Sequence, residues 1–80
     1  MTQYIATFHT HLSALLTSRA LARTGVQARM APVPRKLSSS CGTCVQFTAE
    51  SPHLEEMDGD LEGLYQTDGP DQYHLLHQNN

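Results

Sequence analysis

Between Thr10 and Gly25 the chain carries one sharply delimited helical segment, and alternating, strand-like sequence flanks it on both sides. That arrangement constrains the fold more than any other feature, because such a helix can bury its apolar stripe only against the sheet that its neighbours build. Thr10 is a capping residue and Gly25 supplies the left-handed stop, so the helix is expected to run to about Arg23. At about 100° per residue, Ala14, Leu15, Ser18, Leu21 and Ala22 share the face expected to pack on the sheet. Leu12, Leu16, Arg19 and Arg23 fall on the opposite side, where scattered leucines are ordinary surface residues.

Gln3–Phe8 is rich in Tyr, Ile, Thr and Phe and reads as a first strand. Val26–Val33 reads as a second, and Pro32 and Pro34 require its end to lie at an edge or to leave the sheet. Arg35–Gly42 reads as a loop. Cys44–Ala49 alternates again, with Val45 and Phe47 on one face and Cys44, Gln46 and Thr48 on the other. Ser51 and Pro52 give a helix-start signal, and Leu54, Met57 and Leu61 have helical spacing, weakened by Gly59 and stopped by Gly63. Leu64–Thr67 reads as a brief fourth strand. The economical assembly is an α+β, ferredoxin-like βαββαβ sandwich, a four-stranded antiparallel sheet with two helices on one face. Residues 1–67 would form that single domain, with 68–80 a polar, flexible C-terminal tail.

Eighty residues bury roughly 60% of their unfolded surface, and with 6% aromatics and no Trp the core is thin, which favours a homo-oligomer. All five Lys and Arg lie between Arg19 and Lys36, and all eight Asp and Glu between Glu50 and Asp71. A basic middle and an acidic end lack the broad basic face of a nucleic-acid binder, while permitting a local anion site at Arg35 and Lys36. No run approaches a membrane helix and the N-terminus lacks a signal-peptide pattern, so a cytoplasmic protein without membrane contact is expected. There is no Gly-rich phosphate motif and no nucleophile elbow, and no cofactor is implied. The acidic run Glu55, Glu56, Asp58, Asp60 and Glu62 reads as a solvated face, as do His9, His11 and His53.

The chemistry-bearing segment is the loop ending in Cys41-Gly42-Thr43-Cys44. In the cytoplasm a C-x-x-C spacing points to redox, catalytic or metal chemistry rather than a structural disulfide. It precedes a strand here, whereas the thioredoxin-like motif opens a helix. Cys41 is the candidate nucleophile, because the flexible Ser38-Ser39-Ser40-Cys41-Gly42 turn lets backbone N–H groups gather around its sulfur. Gly42 permits positive φ and close approach of a substrate. Arg35 and Lys36 add positive potential if the loop folds back. Cys44 is either a resolving thiol or a small buried hydrophobe. His74 and His77 could complete a zinc site with the two cysteines. A third reading is a non-catalytic anion- or protein-binding regulatory module using the same Arg35–Cys44 loop.

The strand ending Phe8-His9, the helix ending Ala22-Arg23-Thr24-Gly25-Val26 and the core Pro32-Val33-Pro34-Arg35-Lys36-Leu37-Ser38-Ser39-Ser40-Cys41-Gly42 together resemble the selenium/sulfur (Se/S) carrier-like small proteins of bacteria. The resemblance spans about Gln3 to Thr67, and its P-x-P-R-x-x-S-S-S-C-G core is far more restrictive than C-x-x-C. It implies that Cys41 accepts sulfur or selenium as a persulfide or selenosulfide, with Ser38, Ser39, Ser40, Gly42 and Arg35 shaping its loop. It also implies a sulfur or selenium donor or acceptor protein as partner, and a carrier or accessory role rather than a stand-alone enzyme. The chain departs from the pattern at Cys44, where small or apolar residues are expected, and in a short second helix.

Overall fold

The computed structural model describes residues 1–79; Asn80 lies outside the described residues. The elements in chain order are β1 (Thr2–Phe8), α1 (His11–Arg23), β2 (Gln27–Pro32), β3 (Thr43–Ala49), a single 3₁₀ turn (Leu54–Glu56), β4 (Leu61–Thr67) and β5 (Tyr73–Gln78). All strand pairs are antiparallel, in the order β2-β3-β1-β4-β5. The prolines end β2 at a sheet edge, where Pro32 can go without a ladder donor.

The first helix begins and ends as its sequence dictates. Thr10, extended at φ −131° and ψ 153°, accepts from the Ser13 N–H through its side chain. At the other end Gly25 adopts φ +86°, and its N–H donates to the Ala22 carbonyl while the Val26 N–H donates to that of Leu21. This is a Schellman closure, which needs a residue tolerant of the left-handed region.

The buried stripe of α1 is Ser13, Ala14, Thr17 and Leu21. It is therefore rotated from the expected one: Leu15 and Ser18 are half-buried and Ala22 is exposed. The reason is polar. Ser13 Oγ donates to Asp60 Oδ2 at 3.0 Å, and Thr17 Oγ1 accepts from the Asp58 N–H at 3.0 Å. Two hydroxyls can face inward because the 58–60 segment satisfies them, which an apolar-only pattern does not reveal.

Facing α1, the strands present Tyr4, Ala6, Phe8, Val45, Phe47, Ala49, Leu61 and Leu64, the core of the protein. Tyr4 and Phe47 are cross-strand partners whose rings stack 5.2 Å apart. The alternation predicted for β3 is seen: Cys44, Gln46 and Thr48 register with Thr7, Ile5 and Gln3 on the sheet face that α1 does not cover.

Two expectations need correcting. The architecture is one helix on a five-stranded antiparallel sheet, not a four-stranded sheet with two helices. The segment after Pro52 forms only one 3₁₀ turn, opened by His53 in the left-handed region (φ 51°, ψ 43°) with no side-chain cap. Its Asp-Gly-Asp run is poor in helix formers, and Asp58 and Asp60 are occupied in holding α1. Of the helically spaced Leu54, Met57 and Leu61, Leu54 is exposed, Met57 packs against the core and Leu61 opens β4. Phe8 pairs with Leu61 and Thr7 with Gly63, so Glu62 is an extra residue in β4, a β-bulge. The bulge lets Leu61 and Leu64, three apart, face the same core.

The stretch expected to be a polar tail instead turns at Asp68–Gln72 and returns as β5 along β4. Its polar and apolar side chains alternate too irregularly to signal a strand, because a second register shift falls between Leu64 and Tyr65. Among the described residues no helix is long and apolar enough to cross a membrane.

Candidate functional site

The β2–β3 connection is closed at its base by the Val33 N–H donating to the Gly42 carbonyl at 3.1 Å. Leu37 N–H donates to the Pro34 carbonyl at 3.0 Å, a four-residue turn with Arg35 and Lys36, both exposed, at its apex. The chain then folds back, and Gly42 at φ +74° lets it re-enter β3.

Three consecutive residues of this returning arm attach to the end of β1 and the start of β4. Ser39 Oγ donates to the Phe8 carbonyl at 2.8 Å. Ser40 donates twice to one carboxylate, its N–H to Glu62 Oε1 at 3.1 Å and its hydroxyl to Oε2 at 2.9 Å. The Cys41 thiol donates to the Phe8 carbonyl at 3.3 Å and has the Thr43 carbonyl at 3.5 Å and Ser39 Oγ at 3.8 Å. The partners of the sulfur are thus two carbonyls and one hydroxyl; the expected ring of backbone N–H donors is not among them. Phe8 O accepts from both Ser39 and Cys41, so it keeps a donor whenever the thiol proton leaves.

Both histidines after β1 belong to the same surroundings. His9 Nδ1 lies 3.3 Å from Ser40 Oγ and 3.6 Å from Glu62 Oε2, and His11 Nδ1 lies 3.4 Å from Thr43 Oγ1. Sequence reasoning assigned His9, His11 and Glu62 to solvated surface. Nothing local marks them, since their partners lie 22 to 53 residues away.

The two cysteines are free thiols in different environments. Cys41 is partly exposed. Cys44 is fully buried, and its thiol faces the Pro32 carbonyl at 3.6 Å. Burial pushes the Cys44 thiol up from 9.0 to about 11; the nearby Arg29 guanidinium opposes this and Cys41 adds to it. Among the described residues Ser38 makes no side-chain hydrogen bond, and Arg35 and Lys36 enter no hydrogen bond or ion pair. No cluster of three or more His, Cys, Asp or Glu among the described residues is placed to hold a metal ion, so Cys41, Cys44, His74 and His77 are not assembled into the zinc site that their spacing allows.

Residues 3–59 match the model of the family described as "Putative Se/S carrier protein-like". A protein of Escherichia coli (strain K12), "Uncharacterized protein YtiA", is 31% identical over 64 residues, which covers 80% of this chain and 73% of that protein. No solved structure matches the chain. The family match takes in β1, α1, the whole Cys41 loop and β3, and on it the chain belongs to the Se/S carrier protein-like family.

Proposed function

We propose that this protein is a carrier that accepts sulfur or selenium on Cys41 and passes it to a partner protein. The observation that carries the reading is the contrast between its two thiols: within a family named for Se/S carriage, Cys41 is the cysteine with access to solvent, and Cys44 is sealed. In the transfer step the Cys41 sulfur attacks the terminal sulfur of a donor persulfide. A sulfur–sulfur bond to Cys41 forms, the donor's own sulfur–sulfur bond breaks, and the donor leaves as a thiolate that takes up the proton Cys41 has lost. The exchange is redox-neutral, and a terminal selenium would follow the same course to a selenosulfide.

The Ser39 hydroxyl supports this role by keeping the Phe8 carbonyl satisfied while the thiol is consumed. Gly42 opens the backbone next to the sulfur, and exposed Arg35 and Lys36 at the apex suit docking of a partner with an acidic rim. Release falls to a partner thiol. Cys44 is a poor resolving group, since its burial holds it as a neutral thiol at pH 7. A reducing compartment such as the cytoplasm keeps both thiols in this state.

Intact-mass analysis after incubation with a low-molecular-weight persulfide tests the reading. One added sulfur is expected on the wild type and on Cys44→Ala, and none on Cys41→Ser. No adduct on the wild type, or an undiminished adduct on Cys41→Ser, would sink it. An intact partner interaction in Cys41→Ser that is lost in Arg35→Ala would favour the binding-module reading instead.

A further inference from the structure

The bulge in β4 places an extra residue where β4 passes the end of β1, and that residue is Glu62. Bulges re-aim a side chain, and they concentrate beside active sites. Here the re-aimed carboxylate takes both donors of Ser40, the residue preceding Cys41. The bulge is itself supported from the residue just past β5: the Asn79 N–H donates to the Glu62 carbonyl at 3.2 Å and Asn79 Nδ2 to the Leu61 carbonyl at 3.0 Å. None of these supports lies within residues 3–59, the stretch that matches the family.

Hydrogen counting orders the contacts. A carboxylate accepts only, so the single Ser40 hydroxyl proton points to Glu62, and Ser40 Oγ is left to accept from His9 Nδ1–H. His9 is therefore held with its proton on Nδ1. Its own peptide follows the Phe8 carbonyl, which takes the Cys41 and Ser39 donors. The loop is thus tied to the β1 end through Phe8 and His9 and to the β4 bulge through Glu62.

We infer that Glu62 is a positioning residue for Cys41: through Ser40 it holds the Cys41 arm against the end of β1, and its charge biases the site against small anionic donors. The inference rests on the carrier reading for its biological meaning, but the test below does not involve sulfur or selenium transfer. Two measurements on the full chain decide it, Ser40 amide hydrogen exchange and the rates at which iodoacetate and iodoacetamide alkylate Cys41. Glu62→Ala removes both acceptors, and Glu62→Gln keeps an oxygen for the Ser40 N–H while losing the charge.

Ser40 exchange is expected to accelerate about tenfold or more in Glu62→Ala and to stay near the wild-type rate in Glu62→Gln. The iodoacetate-to-iodoacetamide rate ratio should rise about threefold in both variants, the factor for one unit charge removed at several ångströms in water. A merely structural role would leave that ratio unmoved in Glu62→Gln. Unchanged Ser40 exchange in Glu62→Ala, or an unchanged ratio in Glu62→Gln, overturns the inference. If Glu62→Ala does not fold, the ratio in Glu62→Gln decides alone. A missing persulfide adduct alongside the expected exchange and ratio changes would refute the carrier reading and leave Glu62's positioning role standing.

Discussion

Raising the pH should make the wild-type protein less stable than its Cys44→Ala variant, although at neutral pH the order is the reverse. Cys44 is fully buried, and burial raises its thiol from 9.0 to about 11. The unfolded chain therefore gives up this proton first. Between about pH 9 and pH 11 the folded state binds the proton and the unfolded state does not, so stability falls with rising pH across that window. The contribution is fully present below pH 9 and gone above pH 11, about 2–3 kcal/mol in total. Against it stands the packing of the sulfur, worth about 1 kcal/mol for a group of methylene size or slightly larger. The two effects cancel near pH 10, where the stability curves should cross. Urea unfolding of both proteins at half-unit steps from pH 8 to 11.5 measures this, and the difference between the two proteins isolates the substituted position. A wild-type advantage that stays constant over the range would refute the assignment of Cys44 as a sealed, neutral thiol.

Three further outcomes follow from particular contacts. At Gly63 an added Cβ would lie 2.9 Å from the Tyr65 ring, so Gly63→Ala should cost about 1–2 kcal/mol and become nearly neutral in a Tyr65→Ala background, read as a double-mutant cycle in urea. Asp60→Ala removes the carboxylate that accepts from both the buried Ser13 hydroxyl and the Thr10 hydroxyl and should cost about 1–3 kcal/mol, only part of it recovered by adding Ser13→Ala because Thr10 still lacks its acceptor. Gly42→Ala meets no neighbouring atom but retains φ +74°, so it should cost about 1–2 kcal/mol by backbone strain alone; an unchanged urea midpoint would contradict that backbone conformation.

The first half of the chain was legible because its signals are local. Thr10 capping, the Gly25 closure, the alternation of β1 and β3 and the proline-terminated β2 are all set by residues within a few positions of one another. The position of the Cys41 turn was legible for the same reason. The second half misled because its periodicity is interrupted twice. A bulge at Glu62 breaks the alternation of β4, so that only Leu64–Thr67 read as strand and Leu61 joins the helical spacing of Leu54 and Met57, and another shift in the β4–β5 pairing hides β5 inside a polar tail.

By itself, then, the sequence determined one capped helix, three strands and a serine-rich cysteine turn, since each rests on short-range sterics and hydrogen bonds. Only the tertiary structure decided what surrounds that turn. Glu62 reaches Ser40 across 22 residues, His9 reaches it across 31, and Cys44, in register with Thr7 and Ala31, is fully buried while Cys41 in the loop stays partly exposed. Those outcomes depend on strand register, and a single inserted residue in β4 redirects the side chains that follow it.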